Sequence, residues 1–276
     1  MKLTVPVVFF CFLISLSTST ISSSFRDFIR QKYGATVERR IARDDFANGR
    51  GSFGGGNHKS ATKTKKRPVI LVHGSSTVAA HGIPIASVFR THGYTDSELY
   101  ATTYGEPTNS QFGLVRGYRC EYVKGVRDLI RAVAAFTKSK VDVIGYSMGG
   151  PISRKAILGG RCVDTGEDLG EPFTSKVHSY LSVAGVQRST TSCGVRCGNQ
   201  CGGNFMNDIN SRTHYEGHKV YVLQSTDDRT IRPDRCGKWI GELAEADHTV
   251  TLSGYGHIGV CLKTAEIQHK IIHGRK

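Results

Sequence analysis

No apolar run in the sequence is long enough to cross a membrane comfortably. The longest candidate, Val5 to Leu16, falls short of the ~20 residues that a span needs. There is no C-x2-C pair, the usual thiolate spacing of a structural zinc site, and Cys193-x3-Cys197-x3-Cys201 reads as bridge-forming rather than metal-binding. No N-x-[ST] sequon occurs, so no N-linked glycan is expected. There is no internal repeat. Acidic residues are scarce, 23 against 37 Lys+Arg, and the formal net charge is +14. Such an excess attracts anions. It is not accompanied by a basic motif with interleaved aromatics, however, and nucleic acid is not expected as a partner.

What is present points to an oxidising compartment. Residues 1–24 read as a secretory signal peptide, with Lys2 first, the apolar run next, and small residues Ser17 to Ser24 offering a cleavage point. An uncleaved anchor is the alternative. Cys11 leaves with the signal. Cys120, Cys162, Cys193, Cys197, Cys201, Cys236 and Cys261 remain, an odd set that predicts three disulfides with one spare thiol, or an intermolecular bond. The protein is expected to be secreted.

The positive charge is uneven. Residues 25–67 hold twelve Lys/Arg against four Asp/Glu, a local excess of +8. An anionic lipid surface is the partner such an arm would attract, and a merely solvated arm is the favoured reading. Within it, Phe25, Phe28, Ile29, Tyr33, Val37 and Ile41 give an amphipathic helix broken at Gly34. Residues 44–66, rich in Gly and Lys, read as an irregular lead-in.

From Pro68 onward, strand and helix patterns alternate. Buried-type strands are expected at 68–72, 98–103, 141–144, 177–184, 219–224 and 248–252, with helices at 83–92, 120–138, 152–158 and 258–272. Alternation of this kind predicts right-handed βαβ units and a mostly parallel sheet with helices on both faces, in a single domain over 68–276. A segment at about 185–218, with three cysteines, several glycines and little apolar periodicity, interrupts the pattern.

The chain is organised around Val141-Asp-Val-Ile-Gly-Tyr-Ser147-Met-Gly-Gly-Pro151. A short β-branched run meets G-x-S-x-G and then a helical segment, the order of a nucleophile elbow in an α/β-hydrolase fold. Gly145 and Gly149 leave room for a tight turn. A serine nucleophile needs a base, and the base needs an acid to hold it, in the chain order Ser, Asp/Glu, His. Beyond the 219–224 strand stand Asp227 and Asp228, and spacing alone does not choose between them. Beyond the last strand stands His257. By contrast, His248 is at the wrong end of that strand, and His269 and His273 fall on the last helix. The oxyanion hole calls for two backbone N–H groups, for which Met148 and Ser75 are in position. His73 reads as structural.

Four stretches carry a family resemblance: Pro68-Val-Ile-Leu-Val-His-Gly74, the Ser147 elbow, Ser225-Thr-Asp-Asp228 and Gly254-Tyr-Gly-His-Ile-Gly259. Over about 51–259 the chain resembles the class 2 lipases, which include small lidless bacterial enzymes and larger secreted nematode ones. The resemblance implies an α/β-hydrolase that cleaves acyl esters without metal or other cofactor. It also implies Ser147 as nucleophile, Asp228 as acid, His257 as base, and Ser75 and Met148 at the oxyanion. Tyr146 stands where the bacterial relatives have His, Cys261 is an extra cysteine, and the 185–218 insertion is absent from the smallest members. That insertion is expected either as a cover over the acyl pocket or as a fixed surface loop. Lipid or ester is the expected substrate, acylglycerols first. The alternatives are an acyltransferase with the same triad and a silent lipid- or surface-binding protein on the same fold.

Overall fold

The computed structural model describes residues 20–106, 117–188, 203–232 and 239–273. The signal-like residues 1–19, and Cys193, Cys197, Cys201 and Cys236, lie outside the described residues.

Two helices lead the chain, α1 (Ser23–Tyr33) and α2 (Ala35–Ala42). The Ser22 hydroxyl accepts the Phe25 N–H at the start of α1, and Gly34 separates the pair with φ 87°. These helices correct the expectation of a solvated arm. Phe25, Ile29 and Ile41 are fully buried, and the Phe25 ring packs on Tyr100 and Phe136 at 5.2 and 4.9 Å. Several of the arm's arginines are engaged as well. Arg26 holds Glu38 and Asp44, Arg40 holds Asp128, Arg43 holds Asp45 and Arg67 holds Asp142. The stretch expected to be irregular contains a short strand, β1 (Ser52–Phe53), with Gly54 beside it at φ 132°, where a Cβ would lie 2.4 Å from the Tyr100 ring.

The remaining elements follow as β2 (Val69–Val72), α3 (Ile83–Thr91), β3 (Leu99–Thr102), α4 (Cys120–Phe136), β4 (Val141–Tyr146), α5 (Gly149–Leu158) and β5 (Val177–Val183). After these come α6 (Asn204–Ile209), β6 (Lys219–Ser225), β7 (His248–Leu252), α7 (His257–Leu262) and α8 (Ala265–Ile272). The expected last helix is in fact two. At Thr264 the side chain bonds back to the Val260 carbonyl, and Gln268 Nε2 donates to the Cys261 carbonyl at 2.7 Å, which satisfies the carbonyls freed by the break.

The strands form one seven-stranded sheet in the order β1-β3-β2-β4-β5-β6-β7, parallel except for β1 at one edge. After β2 the chain steps outward to β3, then returns across β2 to β4 and continues the other way. Right-handed crossovers therefore send α3 to one face and α4, α5 and α6 to the other, and α8 comes back to pack beside α3. The strand order reverses between β2 and β4, so a crevice opens beyond their C-terminal ends. A disulfide, Cys120–Cys162, ties the start of α4 to the loop after α5, while Cys261 is buried and unpaired. No helix among the described residues is long and apolar enough to cross a membrane.

Candidate active site

The crevice is flanked by the loop after β2 and by the turn after β4. Ser147 sits on that turn with φ 52°, a left-handed conformation that a non-glycine residue adopts at a cost of about 1–3 kcal/mol. Its N–H is held by the Val183 carbonyl at 3.0 Å. The turn closes only because its neighbours lack side chains: a Cβ on Gly149 would lie 2.4 Å from the carbonyl oxygens of Val72 and His73, and one on Gly145 would lie 2.9 Å from Gly149 O.

His257 opens α7 immediately after Gly256, so its backbone is fixed by the helix start while its ring leans over the crevice. The ring nitrogens bridge two other predicted residues: Nδ1 donates to Asp228 Oδ2 at 2.7 Å, and Nε2 accepts from Ser147 Oγ at 2.9 Å. Asp228 is buried, and its other oxygen takes the N–H groups of Thr230 and Ile231 at 2.8 and 3.0 Å. Its neighbour turns the other way. Asp227 is exposed, and its carboxylate accepts the Gly254 N–H at 2.7 Å, bracing the loop that carries His257. Thus Ser147, Asp228 and His257 come together and Asp227 does not. Among the described residues, no carbonyl takes the N–H of Ser75 or Met148. Ser75 and Ser147 line one cavity.

Tyr146 entered the sequence argument only as a departure from the bacterial pattern. Its ring lies 5.1 Å from that of His257, and its hydroxyl donates to the His257 carbonyl at 3.2 Å. Burial raises the phenol above its ordinary range, so it remains a neutral donor. The one available signal was its adjacency to Ser147. Which way its side chain turned depended on the tertiary fold.

His73 is locked. Its Nδ1–H donates to the Gly74 carbonyl at 2.8 Å, Nε2 accepts the Tyr104 N–H at 3.1 Å, and the ring stacks on Tyr104 at 4.1 Å. Burial lowers its pKa to about 4. The unfolded chain takes up this proton near pH 6.5 and the folded protein only near 4, so stability present above pH 6.5 is lost as pH falls toward 4. Asp142, raised to about 6 by burial, acts in the opposite sense, because the folded protein binds its proton first. A His73→Gln variant removes only the first effect. Its stability deficit against the parent should narrow by about 3 kcal/mol between pH 7 and pH 4, read by urea unfolding. A deficit constant with pH would show that the imidazole is not held neutral.

Beside the three residues lies a cavity of about 450 Å³, walled by apolar groups that include Leu71, Ala79, Ile85, Ile144 and Val183. Ile258, next to His257, is 69% exposed and also lines it. The Cys261 thiol belongs to the wall, pushed up to about 12 by burial, and so stays protonated. None of the described residues of the 185–218 insertion lines this cavity. The one cluster of candidate metal ligands among the described residues is Cys120, Cys162 and Asp164, whose two sulfurs are already joined.

A parallel sheet with a serine elbow at its switch point defines the α/β-hydrolase class. The sequence matches the class 2 lipase family over residues 66–270, and the chain belongs to that family. It is accordingly a carboxylic ester hydrolase. No curated protein sequence matches it. Among solved structures, it is similar to mature Bacillus licheniformis lipase BlEst2, with TM-score 0.55 and 12% identity, covering 80% of this chain and 97% of that one. A monoacylglycerol lipase of Paleococcus ferrophilus gives TM-score 0.52 and 14% identity, with 80% and 95% covered. Aspergillus fumigatus lipase B gives 0.51 and 16%, covering 74% of this chain but only 52% of that longer protein. At these identities the likeness concerns the fold.

Proposed function

We propose that the protein is a secreted serine lipase that cleaves the acyl esters of acylglycerols through an acyl-enzyme. The observation that carries this reading is the hydrogen-bonded row Asp228–His257–Ser147 beside an apolar cavity. His257 Nε2 takes the Ser147 proton as Oγ attacks the ester carbonyl. The N–H groups of Ser75 and Met148 receive the oxyanion, and Asp228 stabilises the imidazolium. His257 then returns the proton to the departing alcohol. Water, deprotonated by the same imidazole, releases the fatty acid from Ser147. The Cys120–Cys162 bridge and the signal-like N-terminus support secretion.

The test is a chain-length series of p-nitrophenyl esters and emulsified triacylglycerols, together with labelling by a serine-directed phosphonate. Turnover of both ester types and a single adduct on Ser147 are expected. Labelling elsewhere, or no fatty acid released from any acylglycerol, would overturn the reading.

A further inference from the structure

The mouth of the cavity lies at the C-terminal ends of the parallel strands; the opposite edge has a different chemistry. The segments entering β2, β4, β5 and β6, four strands adjacent in the sheet, bring Arg67, Lys138, Lys140, His178, His218 and Lys219 to one edge. At ~4.8 Å between neighbouring strands, this edge is about 14 Å across. Its members converge: the rings of His178 and His218 lie 5.5 Å apart. After burial, the charges of Arg67, His218, Lys140 and Lys219 are what hold the His178 imidazole neutral, with its pKa lowered to about 4.

Few carboxylates offset this charge. Asp142 is fully buried and gripped by Arg67 at 2.8 Å, and Asp247 sits between His214 and Lys219 at 3.1 and 3.4 Å. Lys138 and Lys140 are exposed and have no ion pair among the described residues. No large apolar side chain is exposed on these segments, since the exposed ones among the described residues are Val163 and Ile258. Tyr94, Tyr180 and Tyr215 are buried, and Tyr221, two residues into β6, is half-buried with its ring packed against the core, so no fully exposed ring offers a platform for stacking bases.

The geometry points to a docking site for a linear sulfated polysaccharide along the N-terminal edge of β2, β4, β5 and β6, on the side of the molecule away from the ester-cleaving crevice. A densely anionic chain matches the cations Arg67, Lys138, Lys140 and Lys219, with the neutral His178 imidazole between them as a hydrogen-bonding group. A bilayer held by the same edge would leave the cavity mouth facing away from its lipid. A glycan leaves that mouth free, and the enzyme stays tethered with its site open.

Binding of a heparin-derived oligosaccharide to the whole protein tests this, followed by calorimetry over a range of salt. Lys138→Glu combined with Lys140→Glu should weaken binding at least tenfold and reduce the slope of log affinity against log salt by about 2, with hydrolysis of a soluble ester unchanged. A matched charge reversal on the leading helices, Lys32→Glu with Arg39→Glu, should leave affinity within about twofold. The proposal is overturned if the oligosaccharide does not bind, or if the second pair of changes abolishes binding while the first does not. It is equally overturned if phosphatidylserine vesicles or a DNA duplex bind more tightly than the oligosaccharide through the same edge. Because binding is read without turnover, failure here is separable from failure of the proposed hydrolysis.

Discussion

Ser147→Ala should lower kcat for a soluble ester by about 10⁶-fold, leaving only the acceleration that oxyanion donors and substrate binding supply on their own. The expectation follows from how few alternatives the site offers. Ser147 Oγ lies 2.9 Å from His257 Nε2 and is the hydroxyl bonded to that imidazole. Thr77 and Tyr104 make their hydroxyl bonds elsewhere, to Gly74 and His73. The same change should barely alter stability, because it deletes one oxygen at a turn whose closure depends on Gly145 and Gly149 rather than on the hydroxyl. Kinetics on p-nitrophenyl butyrate, with thermal unfolding as the control for folding, decide the matter. Turnover within tenfold of the parent would remove Ser147 from the chemistry.

The second large effect separates two adjacent acids. Asp228→Asn preserves shape, but its amide can hold the imidazole with Nδ1 unprotonated, and the lone pair needed at Nε2 is then lost. In the serine-protease precedent this costs about 10⁴-fold in kcat. Asp227→Asn should cost less than about tenfold. That carboxylate accepts the Gly254 N–H at 2.7 Å and points away from the ring, and an amide oxygen can accept the same bond. Comparing kcat for the two variants at saturating substrate is the check. If they rank in the reverse order, Asp227 is the acid and the loop after β6 rearranges when substrate binds.

Much of this architecture was legible in the chain. Val69–Val72 and Val141–Ile144 are buried on both faces of a parallel sheet, and a strand so placed must be apolar at nearly every position, which makes it readable. The hydrogen-bonded set of Ser147, Asp228 and His257 was legible because an α/β-hydrolase places its candidate groups just beyond strand ends, leaving few residues to consider. The two-residue β1 was not, since its pairing with β3 is long-range and its flanking glycines signal only a loop. The basic arm was misread for a related reason. Its surplus of charge is visible in one dimension, but the carboxylates that engage it include Asp128 and Asp142, far away in sequence.

By itself, then, the sequence determined the order of elements, the elbow at Ser147 and the positions from which an acid and a base can reach it. These depend on local periodicity and on glycines that permit a tight turn, both of which are properties of neighbouring residues. Spacing left Asp227 and Asp228 open, and the family resemblance pointed to Asp228, the carboxylate that meets His257 in the fold. Tertiary structure alone decided that Tyr146 braces the carbonyl of His257 and that Phe25 is core rather than arm. It also decided that cations from three separate segments, those entering β2, β4 and β6, share one edge. Each of these depends on the direction a side chain takes relative to residues distant in the chain, and that direction is fixed only when strands and helices pack.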